Sequence, residues 1–302
     1  MMTKQNTGNV EQLVWHALNL TRDTGLGPEG YIPLLSVVLL RHLEAGVGPG
    51  HPDGLARSAS YILPAEARWQ YMRNTSVHGR AGWASAVLSL TRPPENAELA
   101  WAIRKLRIVE ALSSQRIELA ASKFALLLDE YSLEGLDWTT AFDSLVDCYV
   151  DRSGLAGGQS HTPRPLRDLT VRLLSPSAGS TVYDPVCGTG ELLLGALAAA
   201  GSAGQAGAST KVCGQEINAF SAAIAKLRFV VNGLPPENIA VGDTLLDPLF
   251  LDDGRLRKYD FVVADLPIGA HLNQESMVRL GSDPYGRMWF GPPGERAESA
   301  FL

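Results

Sequence analysis

The sequence predicts an α/β fold in which a doubly wound, mostly parallel sheet follows an all-helical N-terminal domain. Three observations lead there. Apolar residues keep helical spacing through the first 155 positions, short apolar runs separated by helix-length segments replace them afterwards, and the turn-rich stretch AGGQSHTPRP at 156–165 divides the two patterns. The expected division is therefore 1–155 for the helical domain and 156–302 for the α/β domain, and 302 residues accommodate two domains of ordinary size.

The helical half is read as follows. Leu13, Val14, Ala17, Leu18 and Leu20 recur at helical steps and Tyr31 to Leu43 is almost wholly apolar, so two helices are expected on either side of the glycine-rich stretch 25–30. After a Gly/Pro-rich turn at 46–54, helices are expected at Pro64 to Arg73, at Gly82 to Leu90, and as one long element from Pro94 to about Leu128. In the last, Leu99, Ile103, Leu106, Val109, Leu112, Ile117, Leu119 and Phe124 keep mostly three- and four-residue steps. No strand is expected before residue 175. From 166 onward the pattern reads helix (Leu166 to Leu174), strand (Thr181 to Tyr183), glycine turn, helix (Glu191 to Ala200), strand (Lys211 to Gly214) and helix (Ala219 to Asn232). A short strand at Ile239 to Val241, a loop and a strand at Phe261 to Ala264 complete it. Strands alternating with helices place a ligand site at the carboxyl ends of the strands.

Composition narrows the function. Apolar residues make up 45% and charged residues 19%, which excludes disordered and fibrous classes. The formal charge of −6 is spread evenly, with 14 basic against 17 acidic residues before position 156 and 12 against 15 after it, so neither half is a basic module. Any nucleic-acid role must be local or shared with a partner. Cys148, Cys187 and Cys213 have neither metal-ligand spacing nor an even count for a disulfide framework, and reduced thiols in a cytoplasmic chain are expected. The N-terminus has no apolar run after its lysine, and the longest apolar stretch, Ile32 to Leu40, is far shorter than the ~20 residues of a membrane helix. Neither secretion nor membrane spanning is expected.

The strongest motif is VYDPVCGTGELLL at 182–194, a strand ending in Asp184, a loop carrying Gly188 and Gly190, and a helix. Such a loop lets a ligand approach backbone N–H groups at the helix start. The spacing matches neither GxGxxG nor GxxxxGK[ST], and the loop has no Lys or Arg to neutralise a phosphate. A ligand bearing a positive amino or sulfonium group suits the acidic residue better. VCGQEINAFS puts Glu216 at the end of the next strand, where a carboxylate accepts ribose hydroxyls in nucleoside-binding folds. VGDTL puts Asp243 after the third strand, either as an acceptor for an adenine amine or as a turn former.

Taken in order, these segments resemble the N6-adenine DNA methyltransferases that form the modification subunit of Type I restriction-modification systems. GGQSHTPRPLRDLTVRLL resembles that family's GQFYTPR segment, DPVCGTGELL its cofactor loop, GQEINAFSAAIAKLRFVVNG its acidic helix, NIAVGDTL its GDTL, and YDFVVADLPIG its FDxVxxNPPFG. AFDSLVDCYVDR and GPPGERAESAFL resemble flanking stretches. The resemblance implies a Rossmann-like S-adenosylmethionine-dependent methyltransferase sheet. It places Gln159, Thr162, Asp184, Gly188 and Gly190 around the methionine part of S-adenosylmethionine, Glu216 on the ribose and Asp243 on the adenine. Asp265, Pro267 and Ile268 fall at the catalytic motif, where a side-chain acceptor and a following carbonyl polarise N6 of a flipped adenine. DNA and a specificity subunit are the partners implied. In that family the sheet continues past the point where this chain stops, which implies a shortened or truncated sheet.

The departures fall in the catalytic motif, where the family's Asn-Pro-Pro-Phe is Asp265-Leu266-Pro267-Ile268. Asp keeps an acceptor. Leu266 removes a ring that fixes the carbonyl direction, and Ile268 removes a stacking face worth ~1 to 3 kcal/mol per base. Two other readings stand beside the methyltransferase: a catalytically degenerate subunit that keeps the cofactor loop in a structural or regulatory role, and a protein-glutamine methyltransferase, against which the GGQSHTPR junction speaks. In the helical half, Arg57, Arg68, Arg73, Arg80, Arg104, Lys105 and Arg107 are read as solvated faces or local phosphate contacts, and Trp69, Trp83 and Trp101 as core.

Overall fold

The computed structural model describes residues 4–23, 25–26, 30–46, 56–58, 61–72, 82–130, 138–153, 162, 164–202, 210–289 and 291–301. They divide into two compact units, Met1–Gly154 with Lys226–Pro236, and Leu155–Ala225 with Glu237–Leu302.

The first unit is built on the helix Tyr31–Ala45, which is apolar around nearly its whole circumference and therefore buried on all sides. Leu35, Val37, Val38 and Leu40 have no exposed surface, each such side chain contributing about 1.5 to 3 kcal/mol through burial. The hydroxyl of Ser36 donates to the Pro33 carbonyl at 2.5 Å, so the helix carries no unsatisfied side chain there. Lys4–Asp23, Gln115–Glu130 and Trp138–Ser153 pack around it.

Two expectations for this unit are corrected. The long helix from Pro94 is three helices, Ala97–Lys105, Ile108–Leu112 and Gln115–Glu130. Arg107 takes a left-handed φ of 52°, which interrupts the ladder, and Ser113 closes the second piece by donating its N–H to the Val109 and Glu110 carbonyls. Leu99, Ile103, Leu106, Leu112 and Phe124 stay buried across the three pieces, whereas Leu119 is exposed. The unit is also not all helical: β1 (Ala56–Ser58) and β2 (Tyr61–Leu63) pair antiparallel. The buried Asn96 side chain accepts from the Ile62 N–H at 3.0 Å and donates to the Ile62 carbonyl at 2.8 Å, standing in for a third strand. Trp69 and Trp83 are core as expected, packed edge to face with centroids 5.7 Å apart. Arg68 pairs with Glu44 at 3.0 Å, while Arg73, Arg80 and the side chain of Arg57 lie outside the described residues.

The second unit holds a four-stranded parallel sheet in the order β5-β4-β3-β8, with β3 Thr181–Asp184, β4 Lys211–Glu216, β5 Ile239–Val241 and β8 Phe261–Val262. β8 is shorter than expected, although the Val263 N–H still reaches the Tyr183 carbonyl at 2.9 Å. The helix Arg164–Leu174 packs on Glu191–Ser202. A small hairpin, β6 (Leu251–Asp252) with β7 (Arg255–Leu256), fills the loop before β8, and the helices Gln274–Gly281 and Glu298–Phe301 follow it. The chain runs outward from β3 through β4 to β5 and then returns to the other side of β3. The strand order therefore reverses between β3 and β8, and in doubly wound sheets the carboxyl ends at such a point are where a ligand crevice forms. The helix Ala219–Val231 begins after β4, but its last residues, Lys226–Val231, group with the helical unit. There Arg228 pairs with Asp143 at 3.2 Å and with Asp147, and Lys226 pairs with Glu98 at 2.6 Å.

Candidate functional site

Asp184 closes β3 and is 1% exposed. One carboxylate oxygen accepts the Val186 N–H at 2.9 Å, which shapes the turn into the glycine loop. Burial pushes its pKa up to about 8; the Val186 hydrogen bond opposes the shift, and Glu216 and Asp265 add repulsion. The loop then turns through Gly188 at φ 55° and Gly190 at φ 85°, conformations that glycine adopts without strain. The Gly190 N–H closes the turn on the Cys187 carbonyl at 2.8 Å. A Cβ at Gly188 would meet nothing within 4 Å, so the loop's outer side is open to a ligand. Its inner side is tight, because a Cβ on Gly214 of β4 would lie 2.7 Å from the Cβ of Cys187.

Glu216 ends β4, is 6% exposed and carries a pKa raised by burial. Its two oxygens are held separately, Oε2 by the Gly188 N–H at 2.8 Å and Oε1 by the Asn218 N–H at 2.7 Å. A backbone hydrogen bond from Ile217 joins these two, and of the about four lone-pair sites of a carboxylate one is left for an outside donor. Asp243 lies past β5 and its Oδ1 accepts the N–H groups of Leu245 at 2.9 Å and Leu246 at 3.2 Å. It is a turn former by these bonds, and both fall on the same oxygen. Gly242 ties this loop to β4 through the Glu216 carbonyl at 3.0 Å, and the Thr244 hydroxyl ties it to the Pro185 carbonyl at 2.5 Å.

Asp265 follows β8 across the switch point from Asp184. The hydroxyl of Thr162 donates to its carboxylate, so a segment more than a hundred residues upstream reaches the same crevice. Pro267 is half-buried and Ile268 is 81% exposed. Gly269, at φ 81°, donates its N–H to Glu298 at 2.6 Å, which holds the end of this loop.

The structure thus brings Thr162, Asp184, Gly188, Glu216 and Asp265 to one crevice, with Asp243 on a loop bonded to two of the same strands; Gln159 and His161 lie outside the described residues. Sequence reading missed four supports: Gln215, whose buried side chain donates to the Asp247 carbonyl at 2.8 Å and accepts the Leu249 N–H at 3.0 Å, and Thr244, Arg287 and Glu298. Only Asp283 and Arg287, spaced i,i+4, leave a local trace in the sequence. Chemically, three carboxylates converge where no Lys or Arg lies in the glycine loop. A ligand with a positive centre, hydroxyl donors and an amine donor fits that set of acceptors, which is the donor set of S-adenosylmethionine.

The family model N-6 DNA Methylase matches residues 137–302, more than half of the chain. A Type I restriction enzyme MjaVIII methylase subunit of Methanocaldococcus jannaschii is 34% identical over 146 residues, covering 46% of this chain and 25% of that protein. The MpnII methylase subunit of Mycoplasma pneumoniae is 27% identical over 175 residues, covering 55% and 32% respectively. The matched regions therefore span about a quarter to a third of these relatives. Among solved structures, a type I restriction-modification methyltransferase subunit from Streptococcus thermophilus aligns with 98% of this chain and 70% of its own at TM-score 0.68 and 17% identity. A modification subunit of a type I restriction enzyme from Vibrio vulnificus aligns over 100% and 67% at TM-score 0.57 and 16% identity. These last two likenesses are of fold.

Proposed function

Since the chain belongs to the N-6 DNA methylase family, we propose that it acts as a Type I-like methylase subunit that binds S-adenosylmethionine and methylates N6 of adenine in DNA selected by a specificity subunit. The observation that supports this reading is the convergence of Asp184, Glu216 and Asp265 at the β3/β8 switch point, with Thr162 bonded to Asp265.

Bound S-adenosylmethionine supplies an electrophilic methyl group on a positively charged sulfur. Asp184, held protonated by burial in the ligand-free site, ionises against that cationic end, and Gly188 and Gly190 let the ligand come close to the backbone. Glu216 accepts from a ribose hydroxyl through its remaining lone pair, and Asp243 accepts from the cofactor's adenine amine. Gln159 is assigned to the methionine part by the resemblance alone. Across the crevice, Asp265 accepts an N–H of the target amine, which fixes N6 for in-line transfer and raises its electron density. Thr162 aims that carboxylate. Pro267 restricts the backbone after it, and Ile268 presents an aliphatic face to the base in place of an aromatic one.

Such a site reaches its target only in a base turned out of the duplex, at a cost of a few kcal/mol that protein contacts must offset. With a charge of −6, this chain leaves most phosphate contact to partner subunits and a few arginines, so alone it binds DNA weakly. Cys148, Cys187 and Cys213 form no disulfide, and a cytoplasmic, reducing setting is part of this reading. Among the described residues no helix is long and apolar enough to cross a membrane.

The test is transfer of labelled methyl from S-adenosylmethionine to duplex DNA by the chain co-purified with its specificity partner. Label in adenine that disappears with Asp265→Ala supports the reading. A folded complex that binds S-adenosylmethionine and DNA but transfers nothing refutes the catalytic half of it.

A further inference from the structure

We infer that Arg287 is a positioning residue for the cofactor's adenine subsite, clamping the Asp243 loop from behind. The guanidinium is held by Asp283, whose carboxylate accepts from Nη2 at 2.7 Å and from Nε at 3.1 Å, and whose side chain is 3% exposed. The Asp283 carboxylate also accepts the Arg287 N–H at 2.8 Å, so the pair is fixed through both backbone and side chain. Its remaining donors point across to the loop: Nη1 to the Thr244 carbonyl at 2.9 Å and Nη2 to the Leu245 carbonyl at 2.6 Å. One planar fork therefore joins a buried carboxylate to two successive carbonyls, a task that a lysine's single ammonium cannot match.

The same loop is anchored on its other sides by Gly242 on the Glu216 carbonyl and by Thr244 on the Pro185 carbonyl. Those two bonds fix the loop to the strands that hold Asp184 and Glu216. Arg287 fixes its far side, just beyond Asp243, whose Oδ1 is already committed to the Leu245 and Leu246 N–H groups. Without the fork, the Thr244 and Leu245 carbonyls lose their charged donors and the turn that orients Asp243 loosens, while the carboxylate itself is untouched. The expected consequence is selective: weaker hold on the adenine end, with the ribose and methionine ends keeping their partners.

This inference rests on the cofactor reading above, and two measurements separate them. Hydrogen exchange tests the clamp: the Leu245 and Leu246 amides should exchange faster in Arg287→Ala than in the native chain, with Arg287→Lys between. Calorimetry tests its purpose. Arg287→Ala should bind S-adenosylhomocysteine about tenfold more weakly, a loss on the scale of one charge-assisted hydrogen bond. It should also discriminate less than the native chain against S-inosylhomocysteine, whose base has a carbonyl where adenine has its amine. A general loss of structure would weaken both ligands equally. Asp283→Asn, which loosens the guanidinium without removing it, should move both readouts the same way by less, and serves if Arg287→Ala does not fold. Folded Arg287→Ala with native exchange at Leu245 and Leu246, or with native discrimination, overturns the inference. Faster exchange in the variant, together with no binding by the native chain, overturns the cofactor reading and leaves the clamp standing.

Discussion

Replacing Asp184 by Asn should stabilise the ligand-free protein while abolishing tight cofactor binding. The side chain is fully enclosed at the end of β3, and its pKa stands at about 8 against an ordinary 3.8, raised by burial, opposed by the Val186 N–H, and raised further by Glu216 and Asp265. Because the folded value exceeds the unfolded one, folding takes up a proton at any pH between the two. The stability contributed by this group is complete below the unfolded pKa, falls by about 1.4 kcal/mol per pH unit as pH rises, and is lost once pH passes the folded pKa. At pH ~7 the native chain has therefore given up about 4 kcal/mol, which is the ceiling on what Asn restores. Asn keeps an oxygen for the Val186 N–H and carries no charge. At ~2 to 4 °C per kcal/mol for a unit of this size, the ceiling on the gain in Tm is ~8 to 16 °C. Unfolding of both proteins, followed from pH ~5 to ~8, should show a gap that widens with pH. S-adenosylmethionine should bind the native chain more tightly as pH rises toward the folded pKa, because its positive charge favours the ionised carboxylate, and should bind Asp184→Asn weakly at every pH. A variant less stable than native at neutral pH, or a gap that does not change with pH, refutes this account of the buried carboxyl.

Gly214→Ala should cost about 1 to 3 kcal/mol in urea unfolding, since the new Cβ lies 2.7 Å from the Cβ of Cys187 and 2.8 Å from Cδ1 of Leu193 and neither can retreat from the sheet without moving the glycine loop. Asp147→Ala should destabilise the helical unit by about 1 to 3 kcal/mol, because it removes a buried partner of Arg228, whose side chain is 2% exposed and keeps Asp143 as its remaining carboxylate. Leu266→Pro combined with Ile268→Phe should raise methyl transfer in the complex without changing S-adenosylhomocysteine affinity, as both positions lie on the β8 side of the crevice and neither bonds the β3–β4 loops; an equal change in affinity would show that the two sides are coupled.

The α/β half was legible because its elements obey local rules. β3, β4 and β5 are short apolar runs separated by helix-length segments, so their alternation with helices finds them. β1 and β2 were not legible, because they sit inside an otherwise helical stretch with no helix between them and their third partner is the amide of Asn96, more than thirty residues away. The break at Arg107 was hidden for the opposite reason: the apolar spacing in the sequence continues unbroken across the kink. Asp184, Glu216 and Asp265 were named from motif order, but their mutual electrostatics depends on strand order, which no single stretch encodes. Arg287 acts through carbonyls some forty residues earlier, and Lys226–Pro236 groups with the helical unit through Asp143, Asp147 and Glu98; both depend on tertiary placement that spacing does not reveal.

The reversal of strand order at β3 makes the two capacities of the site genetically separable. Most of what is expected to grip the cofactor hangs from β3, β4 and β5, whereas the groups that face the base hang from β8, so many lesions on one side need not be felt on the other; Thr162, bonded to Asp265, and Arg287, behind the Asp243 loop, cross that division. A lineage can erode the Asp265–Ile268 segment and retain a working receptor for S-adenosylmethionine, or exchange that segment to change which amine is presented. Asp184 crosses it too, since its charge senses Glu216 on one flank and Asp265 on the other. A defect at Asp184 is therefore ambiguous, and the informative lesions are those at Glu216 and Asp265.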